Sequence, residues 1–149
     1  MISFYQAQVN RLREMYRSEK KKGFDFSPLA IDINTVDRFQ GKEKQIIITS
    51  LVTNTPKGHA SKHVITFERI NVAFSRAQEL LIVVGAKHTY EKQVIELPNM
   101  DHAGTSTVAV YQNIMEEMHR NGCFKGSEKL ITSEMEAKIL KEYQGGDDE

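Results

Sequence analysis

Two short segments of the 149-residue chain contain the residue types that nucleotide chemistry uses. The first, residues 35–44, places Gln40, Gly41 and Glu43 at the exit of one predicted strand and the entry of the next. In open α/β sheets, ligands bind in crevices beyond the carboxyl ends of strands. A glycine there lets a ligand approach the backbone, and a carboxylate can accept hydrogen bonds from sugar hydroxyls. The segment therefore predicts a nucleotide-contacting turn, with a solvated surface turn as the alternative.

The second segment, residues 68–77, predicts a short amphipathic helix that carries two arginines. Arg69 and Arg76 are seven residues apart, about two helical turns, so we expect them to share a face away from Ile70 and Ala73. A guanidinium stays charged and presents a planar fork of donors to phosphate oxygens. Such a group can stabilise the charge that develops in phosphoryl transfer. The alternative is a pair of solvated arginines on an exposed helix.

The N-terminal region predicts a helix over roughly the first twenty residues. Ser3 and Gln6 have the spacing of a capping box, and Gly23 follows a run of lysines at the expected end. The two residues before Ser3 are too few for a strand. The pattern therefore indicates a fragment that begins where a strand has just ended.

Three later segments have the composition of strands. Apolar residues alternate over residues 31–35, whereas residues 46–52 and 80–85 are continuous runs rich in Ile, Leu and Val. Continuous runs of this kind are typical of strands covered on both faces. Because the helix of the second segment lies between these two runs, the sequence predicts an α/β fold with a mostly parallel sheet.

The C-terminal third predicts helices without a recognisable site. One helix spans residues 108–118 and ends at Gly122, and a shorter one runs from Ser133 through Tyr143. Residues 145–149 are expected to form a frayed acidic tail. We therefore expect one domain over residues 1–100 and a helical extension with a disordered tail over residues 101–149.

Composition excludes several classes of protein. The chain is 40% hydrophobic and 27% charged, which is typical of a soluble globular domain. The single Cys123 cannot form an internal disulfide, and no apolar run approaches the roughly 20 residues of a membrane span. His59 and His63 have no further His or Cys beside them, so no metal site is expected. We expect an intracellular, cytoplasmic protein without a membrane partner.

The net charge of zero combines two unlike regions. Residues 1–100 carry 15 basic and 10 acidic side chains, whereas residues 101–149 carry 5 and 10. A basic region of this size remains compatible with a nucleic-acid partner, because the distribution of charge is more informative than its total.

Together the two segments resemble motifs V and VI of superfamily 1 helicases, in the branch that includes the nonsense-mediated-decay helicases. Residues 35–50 read TVDRFQGKEKQIIITS, where the family pattern is TVDxFQGxEKDxIIxS. Residues 68–85 read ERINVAFSRAQELLIVVG, where the pattern is RRLNVALTRAKxxLIIVG. Residues 4–9, FYQAQV, are similar to motif IV, with Phe4 in place of a proline. Gln45 and Glu68 depart from the pattern, which has Asp and Arg there.

The resemblance implies a fold and a set of roles. The fold would be the second RecA-like domain of a two-domain motor, with ATP bound between the domains. Arg76 would be the arginine finger on the γ-phosphate, and Gln40, Gly41 and Glu43 would line the nucleotide side together with Arg69. A single strand of DNA or RNA would be contacted through its backbone at Thr35 and Arg38.

The resemblance also implies that part of the motor is missing. Gly41 and Lys42 are followed by Glu43 rather than Ser or Thr, so the segment is not a P-loop. In the family, the P-loop and the acids that hold Mg²⁺ belong to the first RecA-like domain, which would be a partner in the same longer chain or in trans. We expect no ATP hydrolysis by the chain alone. The alternative is a stand-alone or degenerate module that binds nucleic acid or protein without ATPase activity.

Overall fold

The chain forms a four-stranded parallel sheet, in which the two apolar runs supply the longer strands. The computed structural model describes residues 1–55, 59–98, 104–126, 132–135 and 137. The strands of the sheet are β1 (Ile2–Ser3), β2 (Asn34–Thr35), β3 (Lys44–Ser50) and β4 (Ala77–Val84). They lie in the order β2-β1-β3-β4, and every neighbouring pair is parallel. The α/β fold with a mostly parallel sheet is therefore confirmed.

Helices and a small hairpin complete the described elements. The helices are α1 (Gln6–Lys21), α2 (Phe67–Phe74), α3 (Lys87–Tyr90) and α4 (Val110–Arg120). Two 3-10 turns lie at Asp37–Phe39 and Lys62–Val64. The hairpin pairs β5 (Ile95–Pro98) with β6 (Thr105–Val108) in antiparallel fashion, and the sequence pattern did not predict it.

The chain divides into two compact units, Met1–Asn113 and Ile114–Glu149. The first contains the whole parallel sheet. In the second, α4 continues to Arg120, and the rings of His119 and Phe124 stack with centroids 4.1 Å apart. Ser133–Met135 and Ala137 have helical backbone, in agreement with the helix predicted from Ser133. The rest of that helix and the acidic tail lie outside the described residues.

The two crossover helices lie on opposite faces of the sheet. From β1 the chain passes through α1 to β2 on one side, and from β3 it passes through α2 to β4 on the other. Because parallel crossovers are right-handed, opposite directions of travel place the two helices on opposite faces. Thr49 confirms the position of α2, since its hydroxyl donates to the Ala73 carbonyl (3.3 Å). The direction in which the chain adds strands to the sheet therefore reverses between β1 and β3.

Only one face of β3 is covered in the described residues. Ile47 and Thr49 point towards α2 and are fully buried, whereas Ile46 on the opposite face is 55% exposed. Leu80 and Val84, which are level with Ile46 and Ser50 on β4, are also exposed. The expectation that the runs at 46–52 and 80–85 are covered on both faces was therefore wrong here. The reason is that α1, the helix on that face, packs against β1 and β2.

The start of the chain also differs from its prediction. Ile2 and Ser3 form strand β1 although it is only two residues long, because β2 pairs with it on one side and β3 on the other. Ser3 therefore does not cap α1. Tyr5 is the N-cap residue and makes no side-chain capping bond, and Gln6 donates to Asn10 instead (2.8 Å). The strand predicted over residues 31–35 is shortened to β2, and Ile31 is exposed.

No helix within the described parts of the chain combines the length and the apolar composition that a bilayer span requires.

The one-sided burial of β3 predicts different costs for two adjacent isoleucines. Ile47→Ala should lower the free energy of unfolding by about 2–5 kcal/mol, because it opens a cavity under α2. Ile46→Ala is the matched control and should cost less than about 1 kcal/mol, since Ile46 is mostly exposed. Urea denaturation of the 149-residue chain measures both. Equal losses would contradict the burial of one face only.

Candidate functional site

The 37–44 loop, which leads from β2 to β3, runs beside α2 in the same direction. At its start the Asp37 carboxylate pairs with Arg69 near the beginning of α2. At its end the backbone N–H of Lys44 donates to the carbonyl of Arg76, just past the end of α2 (3.1 Å). Each contact joins two residues that are 32 positions apart in the sequence, so the loop and α2 run side by side between the two contacts. Glu43 is thereby brought next to Arg76.

These residues lie at the amino ends of β3 and β4. Asn34 and Thr49 both pair with Ile2, so β2 is level with the carboxyl end of β3. The chain must then return about 20 Å along β3 before that strand can begin. The sequence expectation of a crevice at the carboxyl ends is therefore wrong for Glu43, which directly precedes β3.

Arg76 lies outside the helix that was expected to carry it. α2 ends at Phe74 with Ser75 as its C-cap. The prediction that Arg69 and Arg76 share a helix face was therefore wrong. The Arg76 Nη2 donates to the Ser75 hydroxyl (3.0 Å), while its Nε is buried and has no hydrogen-bond partner in the part of the chain that the structure describes. None of the ion pairs among the described residues involves Arg76.

An unpartnered buried donor of this kind costs about 1–3 kcal/mol until an acceptor reaches it. The Arg76 Nε is such a donor, and an anionic oxygen placed beside it would remove that cost. Beyond the Nη2 bond to Ser75, the guanidinium has further N–H groups that can donate to a phosphate or carboxylate oxygen.

The Glu43 carboxylate has one partner within the sheet. Gln78, the second residue of β4, donates to it through Nε2 (3.2 Å). Gln45, one of the departures from the helicase pattern, donates in the same way to Glu79 (3.2 Å). Both amides hold carboxylates without neutralising their charge, so Glu43 remains an acceptor for ligand hydroxyls.

Gly41 provides the turn that brings Glu43 to this edge. Its φ of +78° is in the left-handed region, which a side chain disfavours, and an added Cβ would meet nothing within 4 Å. The constraint on this position is therefore conformational. Gln40 precedes it with an exposed side chain.

The Arg69 guanidinium is already occupied at the other end of α2. Its Nε donates to Asp37 Oδ1 (3.1 Å), its Nη2 pairs with Asp37 Oδ2, and its Nη1 lies 2.8 Å from His63 Nδ1. About 10 Å of helix separates the positions of Arg69 and Arg76. The structure therefore does not bring Arg69 together with the other predicted nucleotide residues.

The predicted nucleic-acid residues lie towards the carboxyl ends of the strands. Thr35 ends β2 and is partly exposed, and Arg38 projects from the 3-10 turn with an exposed side chain. Sequence reasoning missed a cluster near the same ends: the Tyr5 hydroxyl bonds those of Thr53 (2.9 Å) and Ser61 (2.5 Å). The position of Tyr5 within the motif IV-like segment was the only sequence signal for it.

Two buried tyrosines brace the long loop between β3 and α2. Tyr90 donates its hydroxyl to the Leu51 carbonyl (2.7 Å), and Tyr111 donates to the Val64 carbonyl. Burial raises the pKa of both phenols, so both remain protonated donors at neutral pH. They hold the two ends of the segment that leads into α2.

Comparison with known proteins now identifies the family. Residues 1–88, more than half of the chain, match a protein family described as an AAA domain. Helicase sen1 of Schizosaccharomyces pombe is 30% identical over a region that covers 93% of this chain. The chain belongs to the superfamily 1 helicases. It corresponds to the carboxy-terminal motor half of these helicases.

Two further relatives are helicases by their names. The DNA replication ATP-dependent helicase/nuclease dna2 of S. pombe is 38% identical over 60% of this chain. The DNA polymerase alpha-associated DNA helicase A of Saccharomyces cerevisiae is 40% identical over 57% of it. The helicase domain described here spans 9%, 6% and 11% of the lengths of sen1, dna2 and helicase A, respectively.

Proposed function

We propose that this helicase domain supplies one side of an ATP site that a first RecA-like domain completes. The observation that carries the proposal is the Arg76 guanidinium, whose buried Nε has no partner among the described residues. The Arg76 carbonyl accepts from Lys44, the residue after Glu43, so both residues lie at the amino ends of β3 and β4. Apart from the Nη2 bond to the Ser75 hydroxyl, this donor fork has no partner among the described residues, and its remaining N–H groups are suited to a phosphate oxygen. Its backbone is anchored to β3, so the group is held in place before a ligand arrives.

Within this site the residues have distinct roles. Arg76 is the arginine finger, which stabilises the charge that spreads over the γ-phosphate oxygens in the transition state. Glu43 accepts hydrogen bonds from the ribose and, with Gln40 and Gly41, lines the nucleotide. The Mg²⁺ that accompanies ATP is held mainly by carboxylates of the first domain.

The catalytic site is complete only when the two domains meet. Residues 1–149 contain no P-loop sequence, so the lysine and backbone amides that hold the β- and γ-phosphates come from the first domain. That domain belongs to the same longer protein or acts in trans. Hydrolysis then opens and closes the cleft between the domains.

The other end of the sheet contacts single-stranded DNA or RNA. Thr35 and Arg38 bind backbone phosphates there, which positions a strand without reading its sequence. Because the 37–44 loop leads from these residues to Glu43, opening and closing of the cleft moves the strand contacts as well. The result is ATP-driven movement along one strand.

Removal of the Arg76 side chain tests the ATP site. In a protein that joins this chain to the first domain of a related helicase, Arg76→Ala should lower nucleic-acid-stimulated kcat by about 10³-fold. Arg76→Lys should remain strongly impaired, because lysine keeps the charge but lacks the fork. Steady-state ATPase assays measure both.

Arg17→Ala is the matched control for this experiment, since Arg17 is an exposed arginine of α1. The control should retain the activity of the unchanged protein. Near-normal turnover by Arg76→Ala would refute the finger role.

Salt dependence tests the nucleic-acid surface. The affinity of the 149-residue chain for a single-stranded oligonucleotide should fall linearly as salt rises, on logarithmic axes. Arg38→Ala should reduce the magnitude of that slope by about 0.7, the contribution of one phosphate contact, and Arg17→Ala should not change it. Fluorescence anisotropy titrations give the slopes, and an affinity independent of salt would exclude a phosphate-contacting surface.

A further inference from the structure

The 37–44 loop is tied to α2 at two points of different kinds. The bond from the Lys44 N–H to the Arg76 carbonyl is a main-chain tie, which any side chain at these positions would allow. The contact between Asp37 and Arg69 is a side-chain tie and depends on both residues. Gln40, Gly41 and Glu43, the proposed nucleotide residues, all lie between the two ties.

The side-chain tie has the geometry of a positioning contact. The Arg69 guanidinium meets the Asp37 carboxylate in a bidentate arrangement, which fixes orientation as well as distance. Arg69 is 25% exposed and Asp37 60%, so solvent screens the pair and its effect on global stability is small. The pair joins the turn after β2 to the start of α2.

His63 adds a third point of contact. Its Nδ1 lies 2.8 Å from Arg69 Nη1, so this nitrogen accepts the bond and the ring is neutral in that arrangement. The His63 ring also meets the edge of the Tyr5 ring, with centroids 6.2 Å apart. Arg69 is thus held from two sides, and none of its three nitrogens is directed to the amino ends of β3 and β4.

We propose that Asp37 and Arg69 are positioning residues, which hold the 37–44 loop against α2 so that Glu43 and Arg76 face the same ligand. In this role Arg69 acts through Asp37 and does not contact the nucleotide. The inference rests on the proposed ATP site for its consequence in catalysis, whereas the tie itself is a property of this chain. Small displacements matter here, because misplacement of a catalytic group by about 1 Å can cost about 10²-fold in rate.

Hydrogen exchange on the 149-residue chain tests the tie without any nucleotide. The amides of Phe39 and Lys42 report on the loop, since they donate to Val36 and Phe39, respectively. Asp37→Asn and Arg69→Gln should each raise exchange at these amides about two- to fivefold, the range expected from the loss of an exposed ion pair. Amides of β3 should be unchanged, which shows that each variant is folded.

A charge swap supplies the rescue. The double variant Asp37→Arg with Arg69→Asp restores an opposite-charge pair of the same total length, so exchange at Phe39 and Lys42 should return to the original rates. Glu117→Gln, which removes an arginine–carboxylate pair in α4, is the matched control and should leave these amides unchanged. Unchanged exchange in both single variants would overturn the proposal.

ATPase assays on the joined protein separate positioning from direct binding. If Arg69 acts through Asp37, Asp37→Asn should lower kcat about as much as Arg69→Gln, by about tenfold or more, and the swap should recover most of it. Normal kcat in Asp37→Asn together with loss in Arg69→Gln would overturn the proposal and make Arg69 a ligand of the nucleotide. Absence of ATPase in the unchanged joined protein would refute the proposed function instead, and hydrogen exchange alone would then decide the tie.

Discussion

The parallel pairing of β3 with β4 is the constraint on which the site depends. Two parallel neighbours cannot be joined by a tight turn, so the chain that leaves the carboxyl end of β3 must return to its amino end before β4 starts. α2 makes that return and ends at Phe74, which leaves Ser75 and Arg76 directly before β4. Lys44 opens β3 at the same level and bonds the Arg76 carbonyl. Arg76 and Glu43 are therefore neighbours because of the topology.

The same constraint gives the two ends of the sheet different chemistry. The amino ends of β3 and β4 hold a guanidinium nitrogen that has no partner among the described residues and a carboxylate that accepts from an amide. The other end has hydroxyl groups of Tyr5, Thr53 and Ser61, joined by hydrogen bonds through the Tyr5 hydroxyl. A helicase motor needs separate contacts to a nucleotide and to a strand. The proposed nucleotide and strand contacts of this chain lie near opposite ends of α2, a helix of about 12 Å.

Sequence patterns predicted whether each main element is a helix or a strand more accurately than they predicted the residues at which it begins and ends. The apolar runs and the helix between them were sufficient for the parallel sheet, because periodicity reports which residues a strand or helix can bury. Burial on both faces was wrong for Ile46, because α1 packs against β1 and β2. Ser3 was taken for a cap because its spacing to Gln6 is local, whereas its place in β1 depends on pairing with Thr35 and Ser50.

The amino-acid sequence was sufficient to indicate the family and to select the candidate residues. The motif-like segments at 35–50 and 68–85 contain Gln40, Gly41, Glu43, Arg69 and Arg76 in a pattern that few unrelated chains would share. Which of these residues lie close together depends on the three-dimensional fold. Arg69 and Arg76 have equivalent chemistry along the chain, yet one faces Asp37 and His63 and the other retains a buried nitrogen without a partner. The physical reason is that strand order and the path of the loop set contacts between residues 32 positions apart, and no local pattern encodes that path.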